Sequence, residues 1–95
     1  MNVVLVSYDI SDDKRRTRVA EALLGWGRRL QYSVYECVVS DRQLVSLVVE
    51  LEELIDHLDD QVLLIGLGPL SGTGASAIRS LGRHYEAPSN KSIVV

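Results

Sequence analysis

Two hydrophobic periods alternate along this chain, and their order limits the folds open to it. Residues Asn2 to Ile10 follow a period of two. Val4, Val6, Tyr8 and Ile10 fall on one face and Val3, Leu5, Ser7 and Asp9 on the other, which predicts a central strand. Ser11 is a good helix N-cap, and Asp12 and Asp13 suit the positive end of a helix dipole. Val19, Ala20, Leu23, Leu24 and Trp26 then recur at helical spacing until Gly25 and Gly27 stop the pattern. Leu30 to Val39 is strand-like but carries no Asn-Gly or Asp-Gly pair to fix a tight hairpin, so one bent strand and two short ones both fit. Ser40 and Gln43 form a capping box ahead of an apolar stripe, Leu44, Leu47, Val48, Leu51, Leu54, Ile55 and Leu58, which predicts a second helix. A strand is expected from Gln61 to Leu67. Gly66, Gly68, Pro69, Gly72 and Gly74 then mark a flexible stretch, and Ser92 to Val95 reads as an edge strand.

This order predicts an α+β, ferredoxin-like βαββαβ domain with an extra C-terminal strand and two helices on one face of an antiparallel sheet. A single domain is expected over residues 1–95, with its core at about 2–67 and a C-terminal dimerisation segment at about 75–95. A chain of this length buries only roughly 60–65% of the surface it exposes when unfolded. The uncovered face of the sheet, with Val3 and Leu5 on it, therefore predicts a homodimer.

Cys37 is the only cysteine, which excludes an internal disulfide framework, and one Cys beside two His does not make a tetrahedral zinc site. The apolar runs fall short of the ~20 residues needed to cross a bilayer, and Val3 to Val6 follow the start without a basic leader. A cytoplasmic protein with no membrane partner is expected. The net charge of −3 argues against nucleic acid, but the charges are unevenly placed. Asp12 to Arg29 carries six basic residues against three acidic, whereas Asp41 to Asp60 carries seven acidic residues against Arg42. A molecule polarised in this way can offer one face to an anion.

Asp9 ends the first strand, where it can hold a divalent ion, cap a turn or pair with a nearby arginine. One carboxylate is too few for a magnesium site, but two copies across a two-fold axis would make one. Lys14, Arg15, Arg16 and Arg18 follow on the first turns of the helix, with Arg28 and Arg29 beyond. They form either a solvated face or a clamp for a phosphodiester. Gln31 to Glu36 alternates polar and aromatic residues that serve as strand core or as stacking rings for a nucleotide. The glycines after residue 66 lack the Lys-Ser or Lys-Thr of a phosphate loop, and His57 and His84 are isolated.

Tyr8-Asp9-Ile10-Ser11-Asp12-Asp13-Lys14-Arg15-Arg16, then Arg18-Val19, then Gln31-Tyr32-Ser33-Val34-Tyr35-Glu36 and the capped acidic helix together resemble the second core CRISPR-associated protein family, the small partner of the integrase in spacer acquisition. The match runs in order from residue 3 to about residue 65. The resemblance implies a ferredoxin-like homodimer and a metal-dependent endonuclease on RNA or double-stranded DNA. It implies Asp9 as the catalytic, metal-binding carboxylate at the two-fold with Tyr8 beside it, and Mg2+ or Mn2+ as the ion. It places Arg16 and Arg18 near the site, Arg29 at a further basic position, and Ser33 in a Gln-x-Ser-Val stretch. Tyr35 stands where members usually carry Phe. With Lys14 and Arg15, these residues make up the expected nucleic-acid-binding set. The resemblance leaves open a non-catalytic scaffold that binds spacer DNA and bridges integrase dimers. A small-molecule-binding regulatory domain of the same fold has no motif to support it.

Overall fold

In the computed structural model of the chain, residues 1–89 are described. The elements run β1 (Asn2–Asp9), α1 (Asp13–Leu24), β2 (Gly27–Gln31), β3 (Val34–Val39), α2 (Asp41–Leu54), β4 (Gln61–Pro69) and a one-turn helix α3 (Thr73–Ser76). The four strands form one sheet in the order β2-β3-β1-β4, and every neighbouring pair is antiparallel. This is the ferredoxin-like arrangement expected from the order of periods. The expected strand at Ser92 to Val95 lies outside the described residues.

Alternation along β1 works as anticipated. Val4, Val6, Tyr8 and Ile10 join Val19 and Leu23 of α1, Leu47 and Leu51 of α2, and Tyr35, Cys37 and Val39 of β3 in one core. Burying side chains of this size stabilises the fold by roughly 1.5–3 kcal/mol each before entropy is charged against it. Both long helices thus lie on the same side of the sheet. A Trp26 indole N–H donating to Glu50 at 2.6 Å links the end of α1 to α2.

Three local readings need correction, and one open choice is decided. Asp12, not Ser11, caps α1: its carboxylate accepts from the Arg15 amide at 2.9 Å, and an anion there also suits the dipole. Leu24 is exposed, so the buried stripe of α1 is narrower than its apolar residues suggest. Of the two readings open for Leu30 to Val39, the two short strands hold, with β2 ending at Gln31 and β3 beginning at Val34. The chain turns at Tyr32-Ser33, and a register shift between Arg29 and Gln31 accompanies a turn made with no positive φ at any non-glycine residue. Leu58 lies beyond α2 and is 96% exposed, because Asp56 captures the amides of Leu58 and Asp59 in a turn after the extended C-cap Ile55.

The other sheet face is partly covered by this chain itself. Gly74 of α3 packs so closely on β1 and β4 that a Cβ there would lie 2.4 Å from the Gly68 carbonyl oxygen and 2.7 Å from Val3. Further along, Tyr85 donates its hydroxyl to Glu36, a β3 carboxylate only 2% exposed. Arg28 binds the same carboxylate at 2.8 and 2.9 Å, lies 5.5 Å from the centre of the Tyr85 ring, and also donates to the Glu86 carbonyl. Part of the segment expected to serve a dimer therefore crosses its own sheet.

Candidate functional site

The end of β1 and the tip of the β2–β3 hairpin are pinned together. The Tyr8 amide donates to the Ser33 carbonyl at 3.1 Å, and the Tyr8 hydroxyl donates to the Tyr32 carbonyl at 3.4 Å. Pairing of Asp9 with Gln61 of β4 carries the last strand residue to the rim, where Asp9 is exposed. Successive strand residues point to opposite faces, so the Asp9 carboxylate and the Tyr8 ring part company. Tyr8 lies in the core, 6.2 Å from the Tyr35 ring centre. Burial raises its phenol pKa, with Tyr35 adding to the effect. In this structure Tyr8 anchors the hairpin.

Tyr35 is likewise in the core, 1% exposed on the helix side of the sheet. Tyr32, two residues before β3, is instead 67% exposed with the Arg29 guanidinium 5.1 Å from its ring centre. Ser33 is half-buried in the turn.

The arginines of α1 divide into tied and untied. Arg15 grips Asp60 with two donors, Nε at 2.7 Å and Nη2 at 3.2 Å, across 45 residues of sequence. Asp60 also accepts from the Asp56 amide at 2.8 Å. Its pKa is held below the usual carboxylate range, chiefly by Arg15 and then by that amide. Arg15 therefore clamps α1 to the turn before β4. Arg16 binds Asp13 and donates to the carbonyls of Ile10 and Ser11 at 3.1 and 3.2 Å. Asp13 first, and the nearby Tyr32 after it, raise the Arg16 pKa. This arginine braces the short link between Asp9 and α1. Lys14 and Arg18 are exposed and have no ion-pair partner among the described residues.

Sequence reasoning passed over a second basic feature. An open cavity of about 630 Å³ lies between β2 and the C-terminal segment, and Arg28, Arg29, Arg79, Arg83 and His84 line part of it. Only spatial assembly brings these residues together, since they lie some fifty residues apart. Among the described residues, no group of three or more His, Cys, Asp or Glu stands ready to hold a metal. Asp9 is a hard oxygen donor suited to magnesium or manganese, but one copy supplies one carboxylate. The donor set would fit such an ion only if a second copy added its own Asp9, with waters completing the shell.

A four-stranded ferredoxin-like sheet with one rim carboxylate beside a basic helix start defines a small α+β domain. Residues 1–69 match the family model for CRISPR associated protein Cas2, and the chain belongs to that family. It is 33% identical to the CRISPR-associated endoribonuclease Cas2 1 of Rhodospirillum rubrum over 91 residues, covering 96% of this chain and 88% of that protein. It is 41% identical to the CRISPR-associated endonuclease Cas2 of Halalkalibacterium halodurans over 71 residues, 70% of this chain and 74% of that one. The crystal structure of Streptococcus pyogenes Cas2 superposes with a TM-score of 0.72 at 30% identity, covering 84% of this chain and 99% of its own. Among the described residues, no helix is long and apolar enough to cross a membrane.

Proposed function

We propose that this chain is a divalent-metal-dependent endonuclease of RNA or double-stranded DNA that acts in spacer acquisition, working as a homodimer in the cytoplasm alongside the CRISPR integrase. The observation that carries this reading is the exposed Asp9 carboxylate at the end of β1, held beside the basic start of α1. The names of the relatives, endoribonuclease and endonuclease, support the reaction class. Asp9 of each copy would hold Mg2+ or Mn2+, which supplies water activation and charge stabilisation at phosphorus when bound. Lys14, Arg18 and Arg29 hold the phosphodiester electrostatically, while Arg16 fixes the backbone on which Asp9 stands. The apolar β4 residues Leu63, Leu64 and Ile65 are 37–49% exposed, which supports a second copy as their cover.

A second reading, a dimeric scaffold that binds spacer DNA and bridges integrase dimers without cleaving, is favoured because no group of three or more His, Cys, Asp or Glu among the described residues of one copy could hold a metal. One experiment separates the two. Purified protein is assayed on RNA and duplex DNA with and without magnesium or manganese, beside Asp9→Ala. Metal-dependent cleavage that Asp9→Ala abolishes, with folding and dimerisation intact, supports the nuclease. Cleavage by a dimeric Asp9→Ala protein removes Asp9 from the chemistry. Binding without cleavage by the wild type leaves the scaffold.

A further inference from the structure

Four tyrosines occur in this chain, and only Tyr32 stands largely in solvent. Its backbone is not loose. The Tyr32 and Ser33 carbonyls are both taken by Tyr8, the residue next to Asp9, so the turn that carries the ring is tied to the strand end that carries the rim carboxylate. The Arg29 guanidinium covers the ring at 5.1 Å from its centre, while 67% of the residue remains exposed. An aromatic ring backed by a cation and open on its remaining surface is suited to a π-system that continues into a phosphate. Lys14 and Arg18, exposed on α1, supply positive charge for the strand that carries such a base.

We propose that Tyr32, backed by Arg29, is a stacking platform for one unpaired nucleobase next to the phosphate at Asp9. The proposal rests on the nucleic-acid reading above and adds to it a discrimination: strands with an accessible base bind better than fully paired duplex, because a base inside a helix stacks on its neighbours and cannot reach the ring. A second copy of the chain covering Tyr32 is the competing occupant.

The test uses the full chain as wild type, Tyr32→Phe and Tyr32→Ala, titrated with a fluorescein-labelled single-stranded RNA and with a blunt duplex DNA at one salt concentration. Loss of a single stacking contact weakens single-strand binding by roughly 5- to 150-fold. Tyr32→Ala is expected to fall in that range on the single strand while its duplex affinity stays within about twofold, and Tyr32→Phe is expected to bind as wild type. A 2-aminopurine in the strand is expected to be quenched by wild type and Tyr32→Phe and not by Tyr32→Ala. Equal loss on both nucleic acids, or loss on neither, overturns the platform while leaving nucleic-acid binding in place. A Tyr32→Ala protein that sediments differently from wild type assigns the ring to an interface between copies and also overturns it. A wild type that binds neither nucleic acid overturns this proposal together with the reading beneath it.

Discussion

Replacing Tyr85 by Phe isolates what holds the C-terminal segment to the sheet. The ring remains, and with it the contact to Arg28, but the hydroxyl that donates to Glu36 Oε2 is gone. Arg28 still binds Oε1 through both of its donors, so Oε2 becomes a buried anionic oxygen without its tyrosine partner. A hydrogen bond to a charged group contributes about 1.5–3 kcal/mol, and the retained arginine places this one near the lower half of that range, about 2 kcal/mol. The loss is local, because the segment can lift while the core of both helices stays packed. About 2 kcal/mol raises the open fraction roughly thirtyfold. Trypsin reads this directly, since Arg79 and Arg83 lie in the segment and cleavage there follows the open population when opening is fast. Tyr85→Phe is expected to be cut at those two sites faster by about that factor, with the melting of the core little changed. Burial first, and Glu36 after it, push the Tyr85 phenol up to about 12 from an ordinary 10.0. A folded-state pKa above the unfolded one means that this stabilisation is complete below pH 10 and is lost as pH rises towards about 12. Wild-type cleavage at Arg79 and Arg83 is therefore expected to accelerate across that window while Tyr85→Phe shows no such step. Equal cleavage of the two proteins at pH 8 would refute the latch.

Gly27→Ala is expected to destabilise the whole domain by about 3 kcal/mol or more, read as a lower urea midpoint, because its Cβ would sit 2.1 Å from the Glu36 carbonyl oxygen and 3.0 Å from the Cys37 Cα, both backbone atoms that cannot step aside. Leu47→Ala removes a fully buried side chain between α2 and the sheet and is expected to cost about 2–5 kcal/mol by the same measurement. Cys37 is fully buried, and burial, with Glu36 adding to it, pushes its thiol up to about 12, so iodoacetamide at pH 8 is expected to label only denatured protein.

Much of the fold was legible because its signals are local. The two-residue period of β1, the capping box Ser40-Gln43 and the stripe through Leu47 and Leu51 each declare an element without help from distant residues. The errors arose where a local signal had two outlets. Leu58 continues a helical spacing, but Asp56 offers the backbone a competing turn, and the turn wins after Ile55. Tyr32 and Tyr35 look alike in sequence; the hairpin at Tyr32-Ser33 sends one to solvent and the other to the core, and no glycine marks that turn. Residue type alone could not sort the basic cluster either. Arg15 and Lys14 are neighbours on α1, yet Arg15 finds Asp60 only once β4 has folded back against β1. The cavity that joins Arg28 and Arg29 to Arg79 and Arg83 depends likewise on the path of the C-terminal segment.

Sorting the arginines changes what the basic helix start can be for. A cation already matched by a carboxylate releases few counterions when a phosphate approaches, so Arg15, and Arg16 in part, contribute less to binding than their number suggests. Their work is geometric. Arg15 fixes α1 against the turn before β4, the strand on which Asp9 pairs with Gln61, and Arg16 holds the carbonyls of Ile10 and Ser11 immediately after Asp9. The rim carboxylate is thus secured on both sides by guanidinium forks that lysine could not reproduce, since an ammonium lacks the planar pair of donors. Placement of this kind matters most when the carboxylate must meet a symmetry mate, because an error in one copy is repeated in the other. Lys14, Arg18 and Arg29 are cations with no carboxylate partner among the described residues, and under the proposed function they are the ones left to screen a phosphate. A domain with net charge −3 can therefore present a positive rim to a nucleic acid.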